Sequence, residues 1–288
     1  MDNSLYDYTP LPSRPTLEWP NGARLAFYVG VNVESFQFDD RFVESGGVPG
    51  PESVPNPMNY GWRDYGPRVG IWRMMEALDR FGLKASVLLN ADVARSYPEI
   101  IAAGRERGWA WLAHGKTNSI LQWGMSPDRE QEYLHDVVDT IAAATGYSPK
   151  GWLGPALTET FATATLLSEL GVTYLLDWCC DDQPFPLRIG PGRMISVPYS
   201  VEMNDMRLFL RNGFTGSEFL QAVVDQFDQL YRDSAASGRV MALALHPFLI
   251  NQPHRHRYLC EALEYITGHE DVWLTTSDDI ADWYLTHY

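Results

Sequence analysis

"LKASVLLNADVARSYPEIIAAGRERGWAWLAHG", Leu83–Gly115, carries the pattern on which the fold turns. "LKASVLLNA" reads as a short buried strand. "SYPEIIAAGRERG" has Pro near its start and Gly at its C-cap, the marks of a helix. "WAWLAHG" is again apolar, then stops at His114 and hands over to the polar "KTNS". Strand, helix and strand follow one another with short connections.

The same alternation extends both ways. Upstream, "ARLAFYVGVNV" (Ala23–Val33) is a β-branched and aromatic run, a buried strand. "PRVGIWRMMEALDRFG" has apolar residues at helical spacing, with Pro near its start and Gly after its end. Downstream, "SPDREQEYLHDVVDTIAAATG" is a helix with Ser126 as N-cap, acids in its first turns and Gly146 as C-cap. Strands are expected at "KGWLGPA", "VTYLLDW", "RMISVPYSVEM", "RVMALALH" and "VWLTT". Helices are expected at "TETFATATLLSELG", "TGSEFLQAVVDQFDQLYRDSAASG" and "PHRHRYLCEALEYITG", with a last one, "SDDIADWYLTHY", capped by Ser277. About seven such alternations imply an α/β fold, a distorted (β/α) barrel of about seven parallel strands with outer helices. A doubly wound open sheet is the runner-up, but no GxGxxG turn follows the first strand.

A length of 288 residues suits one large domain. Residues 1–22, rich in Pro and aromatics, read as an N-terminal arm that suggests a subunit contact, and 23–288 as a single barrel domain. Residues 35–66 are irregular and full of Gly and Pro; a loop so long that also carries aromatics is expected to be ordered and to cover a site. A net charge of −15 argues against nucleic acid, which is bound by Lys and Arg, and against anionic membrane surfaces. No signal-peptide pattern opens the chain and no apolar run is long enough to span a bilayer, so a cytoplasmic protein with a small-molecule partner is expected. Three cysteines, two of them adjacent, make no disulfide framework and read as reduced, buried thiols.

In a β/α barrel, reactive residues gather at the C-terminal ends of the strands. Those ends carry Asn32 and Glu34, His114, Trp152, Asp177 with Asp181 and Asp182, Glu202 with Asn204 and Asp205, and His246. Two histidines and a carboxylate at matching strand ends suit hydrolysis, because imidazoles bind a metal or move protons and a glutamate can do either. His254 and His256 read more simply as a solvated first helical turn, and His135 and His269 as surface residues. Phe36, Trp62, Trp123 and Trp178 are candidates to close a pocket; for each alone, ordinary packing is the better reading.

From Trp19 onward the chain resembles the polysaccharide deacetylase superfamily, and within it the branch of the cofactor-independent allantoinases. The resemblance rests on "WPNGARLAFYVGVNVE", "DYGPRVGIWRMMEALDRFGLKAS", "GYSPKGWLGPALTET", "DDQPF", "VPYSVEMNDM" and "LALHPFLINQPHR". It implies a distorted β/α barrel, hydrolysis of non-peptide C–N bonds and a homo-oligomer, a dimer or tetramer. The sugar deacetylases of this family carry an Asp-Asp pair at the end of strand one, a base and a metal ligand; here the positions hold Asn32 and Glu34. Their His-x-x-x-His zinc motif falls on His114 and Asn118, and the arginine of their middle motif on Leu153. The final histidine, His246, is kept, and in relatives it is the general acid.

The resemblance therefore implies a hydrolase of a small linear or cyclic amide, imide or ureide. Glu34, His114, Asp182 and His246 are the expected catalytic residues: Glu34, or a water on a metal at Glu34 and His114, activates the nucleophile, His246 protonates the leaving nitrogen, and Asp182 orients a histidine or the substrate. Asn32, Asn118, Trp152, Glu202 and Asn204 are the expected substrate-binding residues. A single divalent metal such as zinc on Glu34 and His114, or no metal at all, are both open. The alternatives are a metal-dependent N-deacetylase of an amino sugar or small acetamide, and a non-catalytic binding protein on the same barrel.

Overall fold

A computed structural model of the chain describes residues 3–39, 55–189 and 193–288. The strands among them are β1 (Leu25–Val33), β2 (Ala85–Leu89), β3 (Ala110–Ala113), β4 (Gly151–Trp152), β5 (Tyr174–Leu175), β6 (Phe185–Leu187), β7 (Met194–Ser196), β8 (Arg239–Leu245) and β9 (Val272–Leu274). They form a curled sheet in the order β6-β7-β5-β4-β3-β2-β1-β8, with β9 also paired to β1. All pairings are parallel except β6 with β7. The result is a half-barrel with helices outside, as the alternation predicts. The antiparallel β6 is a departure from the expected parallel strands: Phe185–Leu187 pairs with β7 at the sheet edge.

The helices are α1 (Pro57–Tyr65), α2 (Ile71–Arg80), α3 (Ala91–Ser96), α4 (Pro98–Glu106), α5 (Pro127–Thr145), α6 (Thr163–Glu169), α7 (Gly216–Asp233), α8 (Pro247–Ile250), α9 (Pro253–Thr267) and α10 (Ser277–His287). Helix α1 lies inside the stretch expected to be irregular. The Asn56 side chain accepts the Asn59 N–H and Pro57 occupies the first turn, a start signal hidden among prolines. Residues 40–54 of the expected site-covering loop lie outside the described residues. At α10 the cap is Thr276, not Ser277: the Thr276 hydroxyl accepts the Asp279 N–H. No helix among the described residues is long and apolar enough to cross a membrane.

Strand parity sorts the core into two layers, because successive side chains of a strand point to opposite faces. Leu25, Phe27, Val29, Val31 and Val33 of β1 pack outward against the helices, with Trp111, Ala113, Trp152, Met241, Leu243 and Leu245. Ala26 and Tyr28 point inward, with Leu112, Leu153, Tyr174, Val240, Ala242 and Ala244. All nine residues of β1 are buried, which explains a continuous apolar run without polar alternation.

The N-terminal arm lies on its own barrel. Leu17 and Trp19 are buried in the inner layer, Trp19 Nε1 donates to the Arg239 carbonyl at 2.9 Å, and Arg14 forks onto both oxygens of Asp181 at 2.6 Å. None of the three cysteines is in a disulfide; Cys179 and Cys260 are half-buried, but Cys180 is exposed rather than buried.

A π-turn at Gly66–Gly70 leads into α2 and rests on the start of α8, the segment that begins one residue after His246. A Cβ at Gly70 would lie 2.1 Å from the Pro247 carbonyl oxygen. Gly70→Ala should therefore cost about 1–3 kcal/mol by overpacking, read as a lower urea midpoint at unchanged slope.

Candidate active site

Because β1, β3 and β8 run parallel, their C-terminal ends meet at one edge of the half-barrel. Val31 of β1 is in register with Leu245 of β8, and Val33 pairs with Leu89, which in turn pairs with Ala113 of β3. Glu34, His114 and His246 are each the first residue past a strand, and each has the inward parity. Their side chains are buried, at 7%, 3% and 9% exposed.

Glu34 is the hub. Its Oε1 lies 3.4 Å from His114 Nε2 and 3.5 Å from His246 Nε2, and accepts from Asn118 Nδ2 at 2.6 Å. Burial alone would raise the Glu34 pKa. The charge of His246 and its hydrogen bond outweigh it, and hold the carboxyl well below the usual range.

Both imidazoles are oriented through Nδ1. His114 Nδ1 lies 2.6 Å from the Leu153 carbonyl, which can only accept, so Nδ1 carries the proton. His246 Nδ1 lies 2.6 Å from Asp205 Oδ1, and the other oxygen of Asp205 accepts the His246 backbone N–H at 2.8 Å. Burial pushes the His246 pKa down, but the carboxylates of Glu34 and Asp205 more than reverse this and raise it to about 10. At neutral pH the site thus holds an imidazolium between two carboxylates.

The orientation of Asn118 follows from backbone groups. Asn90 Oδ1 accepts the Ser35 N–H at 2.8 Å, and Asn90 Nδ2 donates to the His114 carbonyl. Asn90 Nδ2 therefore also donates to Asn118 Oδ1, at 3.1 Å, which turns the Asn118 N–H toward Glu34. This bears on the zinc that the family's motif implies. Where the motif has a second imidazole, this chain presents an N–H, which is not a metal ligand. The Asn118 oxygen is engaged by Asn90. Among the described residues no group of three or more His, Cys, Asp or Glu is arranged to hold a metal ion. The donor set does not fit a zinc site.

Other expected site residues fall elsewhere. Asp182 cannot orient His246: its carbonyl accepts from Val240 at the start of β8. That point is six residues before His246, about 20 Å away along a strand. Asp205, which the sequence places beside Glu202 and Asn204, has the orienting role instead. Trp152 is fully buried on the outward face, pointed at the helices by strand parity, so substrate cannot touch it. The Glu202 side chain is 70% exposed and lies 3.6 Å from Arg207. Asn204 Oδ1 is used locally, accepting the Met206 N–H. Asn32 has the inward parity but is buried and consumed: its Nδ2 donates to Tyr199 Oη at 2.9 Å and to the Leu245 carbonyl at 3.2 Å.

A narrow cleft of about 30 Å³ opens beside Glu34, lined by Phe36, Tyr60, Arg63, Asp64 and Tyr97 among others. Trp62 packs edge-on against Phe248, whereas Trp123 is 68% exposed. Arg63, Asn90 and Asp205 were not among the expected site residues. Asp205 alone had a signal, its place in "SVEMND" at a strand end.

Residues 60–175 match the family model "Polysaccharide deacetylase". The chain is 27% identical to the Schizosaccharomyces pombe protein named "Putative polysaccharide deacetylase", over 96% of this chain and 95% of that one. It is 25% identical to a peptidoglycan deacetylase of Helicobacter pylori, over 82% of this chain and 90% of that one. Among solved structures, PuuE allantoinase superposes with a TM-score of 0.86 at 28% identity, covering 95% of each chain.

Proposed function

We propose that this chain, a hydrolase of carbon–nitrogen bonds similar to polysaccharide deacetylases and to PuuE allantoinase, opens a small cyclic amide, imide or ureide without a metal. The observation that carries this reading is the Asn118 N–H aimed at Glu34, where a zinc site needs a lone pair.

The chemistry follows from the proton positions. With Nδ1–H held by the Leu153 carbonyl, His114 works in this reading with the Nε2 lone pair turned toward the Glu34 carboxylate. A water beside these two acceptors can give one hydrogen to each. His114 takes a proton from that water as its oxygen attacks the substrate carbonyl. Glu34 stays ionised and steadies the imidazolium that forms on His114. His246, already an imidazolium, gives its Nε2 proton to the leaving nitrogen as the C–N bond breaks. The ring opens to a carboxylic acid and an amine or urea; His114 then gives up the proton it took and His246 regains one, both through solvent, which resets the site. Asp205 keeps His246 charged and fixed, and burial of all three side chains strengthens each interaction.

The direct test is turnover of a panel of hydantoins, dihydropyrimidinones, imides and N-acetyl amino sugars by chelator-treated protein, with a His114→Ala/His246→Ala double variant as blank. Ring opening above that blank is expected. Activity confined to N-acetyl sugars and restored by zinc would replace this reading with a metal-dependent deacetylase.

A second test addresses the metal alone. Asn118→His restores the missing imidazole beside Glu34 and His114. That variant should purify with about one zinc per chain and the wild type with less than about a tenth, by elemental analysis of untagged protein. Stoichiometric zinc in the wild type would contradict the assignment.

A further inference from the structure

In the sheet, β4 lies between β3 and β5. Past its end, Leu153 and Gly154 therefore run between His114, the first residue beyond β3, and Asp177, the second beyond β5. The Leu153–Gly154 peptide bonds to both. Its carbonyl accepts from His114 Nδ1 at 2.6 Å, and its N–H donates to Asp177 Oδ1 at 2.8 Å. The C=O and N–H of a trans peptide point in opposite directions, so one rigid plane joins the imidazole to the carboxyl. Only glycine permits so close a fit. A Cβ at Gly154 would lie 2.3 Å from the Thr158 carbonyl oxygen and 2.9 Å from Asp177 Oδ1. The other oxygen of Asp177, Oδ2, is buried and has no hydrogen-bond partner among the described residues.

We propose that Asp177 is a positioning residue for His114, acting through the Leu153–Gly154 peptide. This deepens the reading of His114 as the base that takes a proton from water, and rests on it. When His114 takes that proton, its Nδ1–H becomes a stronger donor and draws electron density onto the Leu153 carbonyl oxygen. Amide resonance passes the demand to the Gly154 N–H, and Asp177 Oδ1 answers it. The chain of hydrogen bonds is therefore stronger in the transition state than in the resting site, and its loss falls on kcat rather than on KM. Burial and the neighbouring Glu159 raise the Asp177 pKa, and burial with Glu130 raises that of Glu159 to about 7. A carboxyl oxygen accepts in either charge state, so the contact with Gly154 does not depend on which of the two acids holds a proton.

The experiment reads the histidine and the turnover separately. Asp177→Ala removes the acceptor. Asp177→Ser keeps a polar group in the buried site, but one bond too short to reach Gly154. Asp177→Asn keeps an acceptor at the Oδ1 position. The His114 Nδ1–H proton resonance, followed in protein labelled with nitrogen-15 histidine and assigned by its loss in His114→Ala, reports the contact without any substrate. It should move upfield in the Ala and Ser variants and return in Asp177→Asn. In the same two variants kcat for the ring opened fastest in the panel above should fall about tenfold or more, as for a misplaced catalytic group, with KM nearly unchanged, and Asp177→Asn should recover it. Melting temperature and near-UV circular dichroism report the fold. A wild-type resonance in folded Asp177→Ala or Asp177→Ser, a moved resonance with wild-type kcat, or no recovery in Asp177→Asn overturns the positioning role. A resonance that moves and recovers as expected, in a protein whose wild type opens no ring, leaves Asp177 the partner of His114 and overturns the reaction instead.

Discussion

His246→Ala should lower kcat/KM at neutral pH by about a thousandfold, within the range lost when a positioned general acid is removed. In the proposed reaction His246 brings the proton to the leaving nitrogen, and Asp205 and Glu34 hold its ring in place. Removing the ring also leaves the buried Asp205 carboxylate without its cation, and losing one partner of a buried pair costs about 3–5 kcal/mol. The measurement must therefore pair kinetics with thermal unfolding. Asp205→Asn makes the gentler control: an amide oxygen can still accept the His246 backbone N–H, but the charge is gone. Its kcat should fall less than that of His246→Ala. Turnover near the wild-type rate in folded His246→Ala would remove His246 from the mechanism.

Glu34→Gln should cost at least as much, and should also change the pH profile. The direction follows from the charges. Glu34 and Asp205 raise the His246 pKa to about 10, so the wild-type acid stays protonated until strongly alkaline pH, and kcat/KM should fall only as pH rises through that value. Glutamine removes one of the two anions. The His246 pKa must then drop toward the ordinary imidazole value of about 6.5, and the alkaline limb of the residual activity must move down with it. Loss of rate with an unmoved alkaline limb would mean that His246 does not set that limb. The same variant weakens His114, whose imidazolium loses its counter-charge during water attack. A drop of about a thousandfold or more is expected, and single-turnover rates across pH would separate the two contributions.

Much of the frame was legible before any coordinates. The repeated strand and helix patterns implied parallel strands with helices outside, and the rule that chemistry gathers past parallel strand ends selected Glu34, His114 and His246. These three do meet. Trp152 was excluded by a parity that the sequence also contained: Leu153, not Trp152, shares the inward face of its strand with Tyr174 across the inner core. Helix α1 was obscured because its Pro and Gly content resembles loop composition, although Asn56-Pro57 is a sound helix start.

What belongs to the sequence itself is local: hydrophobic periodicity sets the elements, glycines and prolines end them, and residue type sets which groups can carry a proton. The tertiary structure decided which groups face one another. Asp205 rather than Asp182 holds His246, because the two aspartates lie at opposite ends of β8 and only three-dimensional register tells them apart. The Asn118 amide became a donor to Glu34 because Asn90, 28 positions earlier, is itself fixed by two backbone groups. The charge on His246 arises from two carboxylates brought by separate segments. Hydrogen-bond direction and electrostatic coupling act over a few ångströms in space, and the chain order of the groups that share them does not encode that distance.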